Sequence, residues 1–447
     1  MEPSYSSTAI RTELTMWNQK PHHAHHVFSF CHGVGCAYMR ILLLLALTVF
    51  VFPSTALAVT SDVNIAQTYE GYTLITPSTG GNGADGKNEI YLVDMDGNIV
   101  HSWKLTTSET QFSELMPTGT LLAILGGASR PESRTRGQAE ARLVEIDWDG
   151  NITWEYQNTN LHHDFAMLAN GNIIGLVREP LRDELRSRIS DDSLPSSVWV
   201  DRLIEIDHNT KEIVWEWSEQ DELDLSRYPY HGSGEIFHTN AVEYIPAGNA
   251  FNGKESLFIS SREQNMIMII DKASGDIVWE FSNNVLESQH DATLLDNGHV
   301  LVFNNRPTKK TSQVLEIDPK TNKVLWTYEA SGFFAEKISG AQRLKNGNTL
   351  ITEGVTGQIF EVTPAKEIVW EYQVGGDEKK DHSVFRSYRY GPDEINWPNS
   401  FLPNPELLFD EPYPYSWKQS LFLIVGSAMA LASIIGGIVL IRRRMSK

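Results

Sequence analysis

The sequence predicts an all-β chain built as a six-bladed β-propeller, and three observations predict it. Six segments share one pattern: an apolar strand, a turn of the Asp/Asn/Gly type, and a strand ending in tryptophan. They are Tyr91 to Leu105, Leu143 to Gln157, Leu203 to Ser218, Ile267 to Ser282, Val314 to Glu329 and Ile359 to Gln373, and a period of this kind marks a repeat architecture. Trp103, Trp154, Trp215, Trp279, Trp326 and Trp370 mark the same place in each. A large aromatic at one recurring strand position reads as a wedge between blades, where it buries most area.

The second observation is the half-unit ahead of five of these segments: Gln111 to Gly126, His162 to Val177, His238 to Arg262, His290 to Arg306 and Ser339 to Glu353. With it, each repeat becomes a four-stranded meander, the unit of a propeller blade. In the clearest case His290-Asp291 opens a strand, Asn297-Gly298 turns it, and strands at Val300 to Phe303, Val314 to Ile317 and Lys323 to Tyr328 follow. The third observation is a mismatch at the ends. The first repeat has only Tyr72 to Thr76 before it, whereas Ser383 to Tyr390 is a strand with no blade of its own. That strand is expected to complete the first blade and close the ring, which removes the edges an open sheet would expose.

Outside the repeats, residues 1–38 are polar, His-rich and patternless. Met39-Arg40, the apolar run Ile41 to Phe52 and Ala56-Leu57-Ala58 read as a secretory signal over 39–58, with mature chain from Val59. The propeller is expected over 59–395, with polar insertions at Ala128 to Ala141, Glu179 to Val200 and Glu219 to Phe237. A proline-rich stalk (396–417) leads to an expected transmembrane helix over 418–441, whose uncharged run Leu421 to Ile441 is long enough to cross a bilayer. The basic tail 442–447, opening with Arg442-Arg443-Arg444, would then lie in the cytoplasm and the body outside it, a single-pass membrane protein facing the periplasm or the cell exterior.

The net charge of -20 excludes the basic face that a nucleic-acid partner needs. Both cysteines, Cys31 and Cys36, precede the expected mature start, so no disulfide and no thiolate metal ligand is predicted in the body. No phosphate loop of the full G-x-x-x-x-G-K-[ST] type is present: Gly81 to Lys87 and Gly248 to Lys254 have the spacing, but Asn88 and Glu255 follow the lysines.

Chemistry is expected where the innermost strands begin. Counting back seven residues from the turn residues Asn297 and Asn170 gives His290 and His163, so His163-Asp164 and His290-Asp291 hold one blade position. Aligning Gly248 with Gly298 puts Asn240 there in the intervening blade, with His238 two residues earlier on the same face. Three imidazoles from neighbouring blades therefore converge on one mouth of the channel. The second strands return to that mouth and bring Arg262, Arg306 and Arg178, a combination suited to an anion. His162 and His382 are further candidates, whereas His101, His208, His231 and His299 fall in turns, loops or outer strands.

In the order of these motifs, from YEGYTLITP (Tyr69 to Pro77) through HHDF, HTN with SSR, QHDA with NNR, and SGAQRLKNGNTLI (Ser339 to Ile351) to VFRSYRY, the chain resembles the bacterial arylsulfate sulfotransferases that need no nucleotide donor. The resemblance implies a transiently sulfated histidine, two supporting histidines and an arginine. Carried onto this sequence these are His290, then His163 and His238, and Arg262; the register itself adds His162, Asn240, Arg306, Arg178 and His382 as expected substrate contacts. It implies small aryl sulfates and phenols as partners and neither metal nor cofactor. The family's separate N-terminal β-domain and disulfide have no counterpart here, since Val59 to Thr68 is too short for such a domain. Oligomeric state and acceptor choice do not carry over. Two other readings fit three histidines on a propeller: a non-catalytic binding module displayed on a membrane, and a metal-dependent hydrolase using Asp164 or Asp291, since three imidazoles also suit zinc. Quinoprotein dehydrogenases share tryptophan-bearing repeats, but six blades and a body without cysteine argue against them.

Overall fold

In the computed structural model the residues described are 67–77, 89–105, 110–126, 141–189, 194–375, 383–398 and 401. The chain divides into two units, Met1–Leu57 and Ala58–Lys447, and the first lies outside the described residues. So do the remainder of the expected signal, the apolar segment 418–441, the basic tail and His382. Among the described residues no helix is long and apolar enough to cross a membrane.

Six four-stranded antiparallel sheets make up the described fold. The first blade contains β1 (Tyr72–Pro77), β2 (Glu89–Val93) and β3 (Ile99–Lys104). The second runs β4 (Thr110–Leu115), β5 (Leu121–Leu125), β6 (Arg142–Ile146) and β7 (Ile152–Gln157). The third runs β8 (Leu161–Met167), β9 (Ile173–Pro180), β10 (Trp199–Ile206) and β11 (Ile213–Ser218). The fourth holds β12 (Thr239–Ile245), β13 (Ser256–Ser261), β14 (Met266–Asp271) and β15 (Ile277–Ser282). The fifth holds β16 (His290–Leu294), β17 (Val300–Asn304), β18 (Gln313–Asp318) and β19 (Lys323–Tyr328). The sixth holds β20 (Gly340–Arg343), β21 (Thr349–Glu353), β22 (Gln358–Val362) and β23 (Ile368–Gln373). The last strand, β24 (Val384–Tyr390), pairs with β1 and becomes the inner strand of the first blade, closing the ring as the sequence predicts.

The turn between the third and fourth strands of a blade is set by an aspartate. Asp94, Asp147, Asp207, Asp271 and Asp318 each accept a hydrogen bond from the backbone N–H two residues on, which folds the chain back sharply. Second strands, sandwiched on both faces, are buried throughout β5, β13 and β17, and their polar residues, Ser256, Ser260, Ser261 and Asn304, fall at the strand ends. Fourth strands lie at the rim and leave Ile99, Val214 and Leu325 exposed.

Tryptophan indoles stitch each blade to the next. Trp103 donates to the Asp147 carbonyl at 2.9 Å, Trp154 to His208 at 2.7 Å, Trp279 to the Asn322 side chain at 3.0 Å and Trp326 to Pro364 at 3.0 Å. Trp370 completes the circle on Met95 at 2.8 Å. In the third blade, however, the stitch is made by Trp217, which donates to Gly275 at 3.0 Å, and not by the expected Trp215. The two lie two residues apart and share a strand face, so sequence pattern does not separate them. Trp215 instead lies under the Lys272 ammonium.

The expected stalk also begins differently. Trp397 is buried against Tyr72 and Trp148, and Asn396 donates to the Pro117 carbonyl at 2.9 Å, so its first residues belong to the propeller's packing.

Candidate active site

The inner strands do not start as regular β-structure. His163, His238 and Asp291 have φ of 55°, 51° and 49°, in the left-handed region that such residues seldom occupy. The pairing of β8 with β9, β12 with β13 and β16 with β17 shifts register at these places. Strain of this kind concentrates at functional sites, and here it redirects side chains at the channel mouth.

The three predicted histidines come together. The rings of His163 and His238 are 4.8 Å apart, and Phe385 at the start of β24 lies 5.9 Å from His163 and 6.5 Å from His290. Behind each imidazole is a different acceptor. Asn305 donates both amide hydrogens to backbone carbonyls, of Ala335 and Ile338, each at 2.9 Å. Its oxygen therefore faces His290 Nδ1 at 2.8 Å as an acceptor, and the Ser288 carbonyl at 3.0 Å can only accept as well. The proton of neutral His290 is thus on Nδ1, and Nε2 keeps its lone pair. Burial, together with Arg262 and His238, lowers the His290 pKa to about 3 despite those two bonds, so the ring is neutral at physiological pH.

His238 Nδ1 hydrogen-bonds the carboxylate of Glu235, which also pairs with Arg178 Nε at 2.7 Å. His163 Nδ1 is 2.6 Å from Nδ1 of His162, whose Nε2 meets Asp201 at 3.1 Å. Because His162 Nε2–H donates to the Asp201 carboxylate, and burial holds both His162 and His163 below the ordinary histidine pKa, His163 donates from Nδ1. All three imidazoles thus have Nδ1 committed behind them, which turns Nε2 toward the mouth.

Other predicted residues are placed otherwise. Arg262 sits at the mouth, its backbone N–H on the His238 carbonyl at 3.2 Å and its guanidinium on Glu263 at 3.2 Å through Nε. Arg306 does not join the imidazoles: it turns to Glu329, at the end of its own blade's outer strand, at 3.4 Å. Arg178 and His162 lie buried behind the histidines, engaged with Glu235 and Asp201. Asn240 is fully buried and donates to the Gln289 carbonyl at 2.8 Å, which braces the residue before His290.

One residue deeper along the inner strands is a second layer. Arg386 of β24 forms ion pairs with Asp164 and, at 2.9 Å, with Asp291, and Tyr388 donates to Asp291 at 2.8 Å. The same carboxylates accept backbone N–H bonds across blades, Asp164 from Val242 and Asp291 from Ala341, both at 2.8 Å. These two aspartates are consumed by the clamp, which removes the carboxylate ligand that the hydrolase reading required. Beyond the clamp a cavity of about 720 Å³ follows the inner strands away from the histidines, lined by Glu114, Glu243, Thr293, Tyr388 and Tyr390 among others. Its volume is not where the reactive nitrogens are, so the imidazole layer, with its free nitrogens, is the better site.

The family described as Arylsulfotransferase (ASST) matches residues 137–375. The chain belongs to that family. The matched span of this arylsulfotransferase-family chain contains all three imidazoles, Arg262, Asn305 and Glu235, whereas Arg386 lies beyond it. No curated protein matches. Solved structures similar to it include a protein of unknown function from Bacteroides caccae, at 13% identity over 72% of this chain and 98% of that one, with a TM-score of 0.47. A streptogramin B lyase is 16% identical over 70% of this chain and 87% of its own, with a TM-score of 0.39. Virginiamycin B lyase from Staphylococcus aureus is 15% identical over the same shares, at 0.38.

Proposed function

We propose that the chain is an aryl sulfotransferase that moves a sulfuryl group from an aryl sulfate to a phenol through a sulfated His290, without a nucleotide donor. The observation that carries this reading is His290 itself: a buried, neutral imidazole with Nδ1–H fixed by Asn305 and Ser288 and an unprotonated Nε2. A nucleophile held in its reactive tautomer needs no activation step. Nε2 attacks sulfur, the S–O bond to the aryl ring breaks, and the electron pair leaves on the phenolic oxygen. A second phenol then attacks the same sulfur, and the N–S pair returns to Nε2. Arg262, whose charge bears on His290, meets the sulfuryl oxygens as their charge is redistributed, while His163 and His238 flank the approach. The apolar segment 418–441 and the arginines after it support display of the propeller outside the cytoplasm.

The test is incubation with p-nitrophenyl sulfate, with and without phenol, followed by peptide mass spectrometry. We expect a sulfuryl adduct on His290 that phenol discharges and that His290→Ala abolishes. A folded protein giving neither adduct nor p-nitrophenol would favour a propeller that binds without turnover.

A further inference from the structure

The insertion between β11 and β12 is the least explained part of the repeat pattern, and near its end it carries Glu235. This carboxylate is 3% exposed although no repeat requires an acid there. It is held from several sides. Its neighbours Gly234 and Ile236 bond the backbone of Trp199 at 3.0 Å, the Gly234 N–H donates to the Tyr230 hydroxyl at 2.9 Å, and Ile236 and Phe237 are fully buried in the third and fourth blades' core. The carboxylate itself bridges Arg178 and His238 Nδ1. Although burial opposes ionisation, the hydrogen bond and charges of His238 and Arg178 hold Glu235 well below the ordinary carboxylate range, so it is an anion at neutral pH.

The three histidines therefore differ in what stands behind them. An amide backs His290 and a neutral imidazole backs His163, and neither compensates a positive ring. A carboxylate backs His238 alone. An imidazole whose Nδ1–H points at a buried carboxylate can take a proton on Nε2 with its new charge already matched.

We propose that Glu235 is a positioning residue that makes His238 the proton carrier of the transfer, shuttling one proton between Nε2 and the phenolic oxygens. This rests on the sulfohistidine reading above. In the first half-reaction, His238 Nε2–H gives its proton to the departing aryl oxygen as the S–O bond breaks and sulfur bonds to His290 Nε2. In the second, the acceptor phenol transfers its O–H proton to His238 Nε2 as its oxygen bonds sulfur and the N–S bond breaks. The cycle returns both rings to their starting states and needs no further reactant. The substrates implied are phenols too weakly acidic to leave as free phenolates.

The experiment is a leaving-group series on the full protein, from p-nitrophenyl to p-methylphenyl sulfate, following adduct formation on His290 by rapid quench. In the unmodified protein the rate should vary little across the series, because the leaving oxygen is protonated as it departs. In Glu235→Gln it should fall on the order of 10²-fold more for p-methylphenyl than for p-nitrophenyl sulfate, the span general acid catalysis supplies. A folded Glu235→Gln that slows all donors equally would overturn the proposal and leave Glu235 a structural brace. Should that variant not fold, the series in the unmodified protein decides: a steep dependence on leaving-group acidity overturns the proposal and a flat one supports it. No adduct from any donor would instead defeat the sulfohistidine reading itself.

Discussion

The imidazole layer and the arginine layer are separated by one residue on the same strands, yet they are opposite solutions to buried polarity. At His163 and His290 each ring is satisfied on one side and open on the other. At Asp164 and Asp291 the charges are answered by Arg386, and backbone N–H groups of the next blade occupy them further. An open valence suits chemistry, and a closed one suits architecture. Because β24 comes from the far end of the chain, Arg386 ties the closing strand of the first blade to the third and fifth across the axis.

The largest expected effect is at the closed layer. Arg386→Met leaves two carboxylates buried without their cation, and stability should fall by about 3–5 kcal/mol, read by urea unfolding. Replacing the partners together, as Asp164→Asn and Asp291→Asn with Arg386→Met, should recover much of that loss, because the cost lies in the unanswered charge. If the single variant unfolds at the same urea concentration as the unmodified protein, the layer is not the structural one and the contrast fails.

Acid and alkali should separate the two regions next, with opposite signs. His290 titrates near 6.5 when unfolded and is held down to about 3 when folded. Its contribution is therefore present above pH 6.5 and is lost as pH falls from there toward 3. Glu243, in the cavity beyond the clamp, is raised to about 8 from 4.5, by burial and by the negative charges of Asp291, Glu114 and Asp164. Its contribution is present below pH 4.5 and is lost as pH rises toward 8. His290→Gln should flatten the acid limb of a stability profile and Glu243→Gln the alkaline limb, each by a slope of up to about 1.4 kcal/mol per pH unit. Thermal melts across pH 4 to 9 would show it, and both variants acting on one limb would contradict the assignment.

How much of this was legible beforehand follows from what each residue depends on. Blade number, ring closure and the meeting of His163, His238 and His290 depend on strand register, which a repeat displays openly. Asn305 was visible only as part of the NNR motif, because its meaning comes from two backbone carbonyls that use up its amide and leave its oxygen for His290. Glu235 depends on an insertion folding back on Trp199, which no periodicity reports. Arg386 lay within a correctly predicted strand, but its role needs partners 222 and 95 residues away in sequence. Its signal was a charged residue in the middle of a strand assigned to the channel wall. Arg306 could not be told apart from Arg262 in the sequence, because each backbone N–H donates to a carbonyl shortly before its blade's first strand while the side chains diverge, toward Glu329 and Glu263.

The smallest change tests whether the two layers are coupled. Gly340 starts the inner strand of the sixth blade, and a methyl group there would lie 2.3 Å from the Asp291 Oδ2 atom and 2.9 Å from the Arg386 Cβ. Its glycine is required by that close approach and not by an unusual backbone angle. Gly340→Ala must push Asp291 aside, and overpacking of this kind costs about 1–3 kcal/mol. Asp291 is the next residue after His290, so the same push rotates the peptide that carries the proposed nucleophile. If the closed layer sets the geometry of the open one, the rate of His290 sulfation should fall more steeply than the loss of stability accounts for, with the variant still fully folded at assay temperature. Equal rates in a less stable protein would mean that Asn305 and Ser288 alone aim the ring, and that the two layers share a strand without sharing a task.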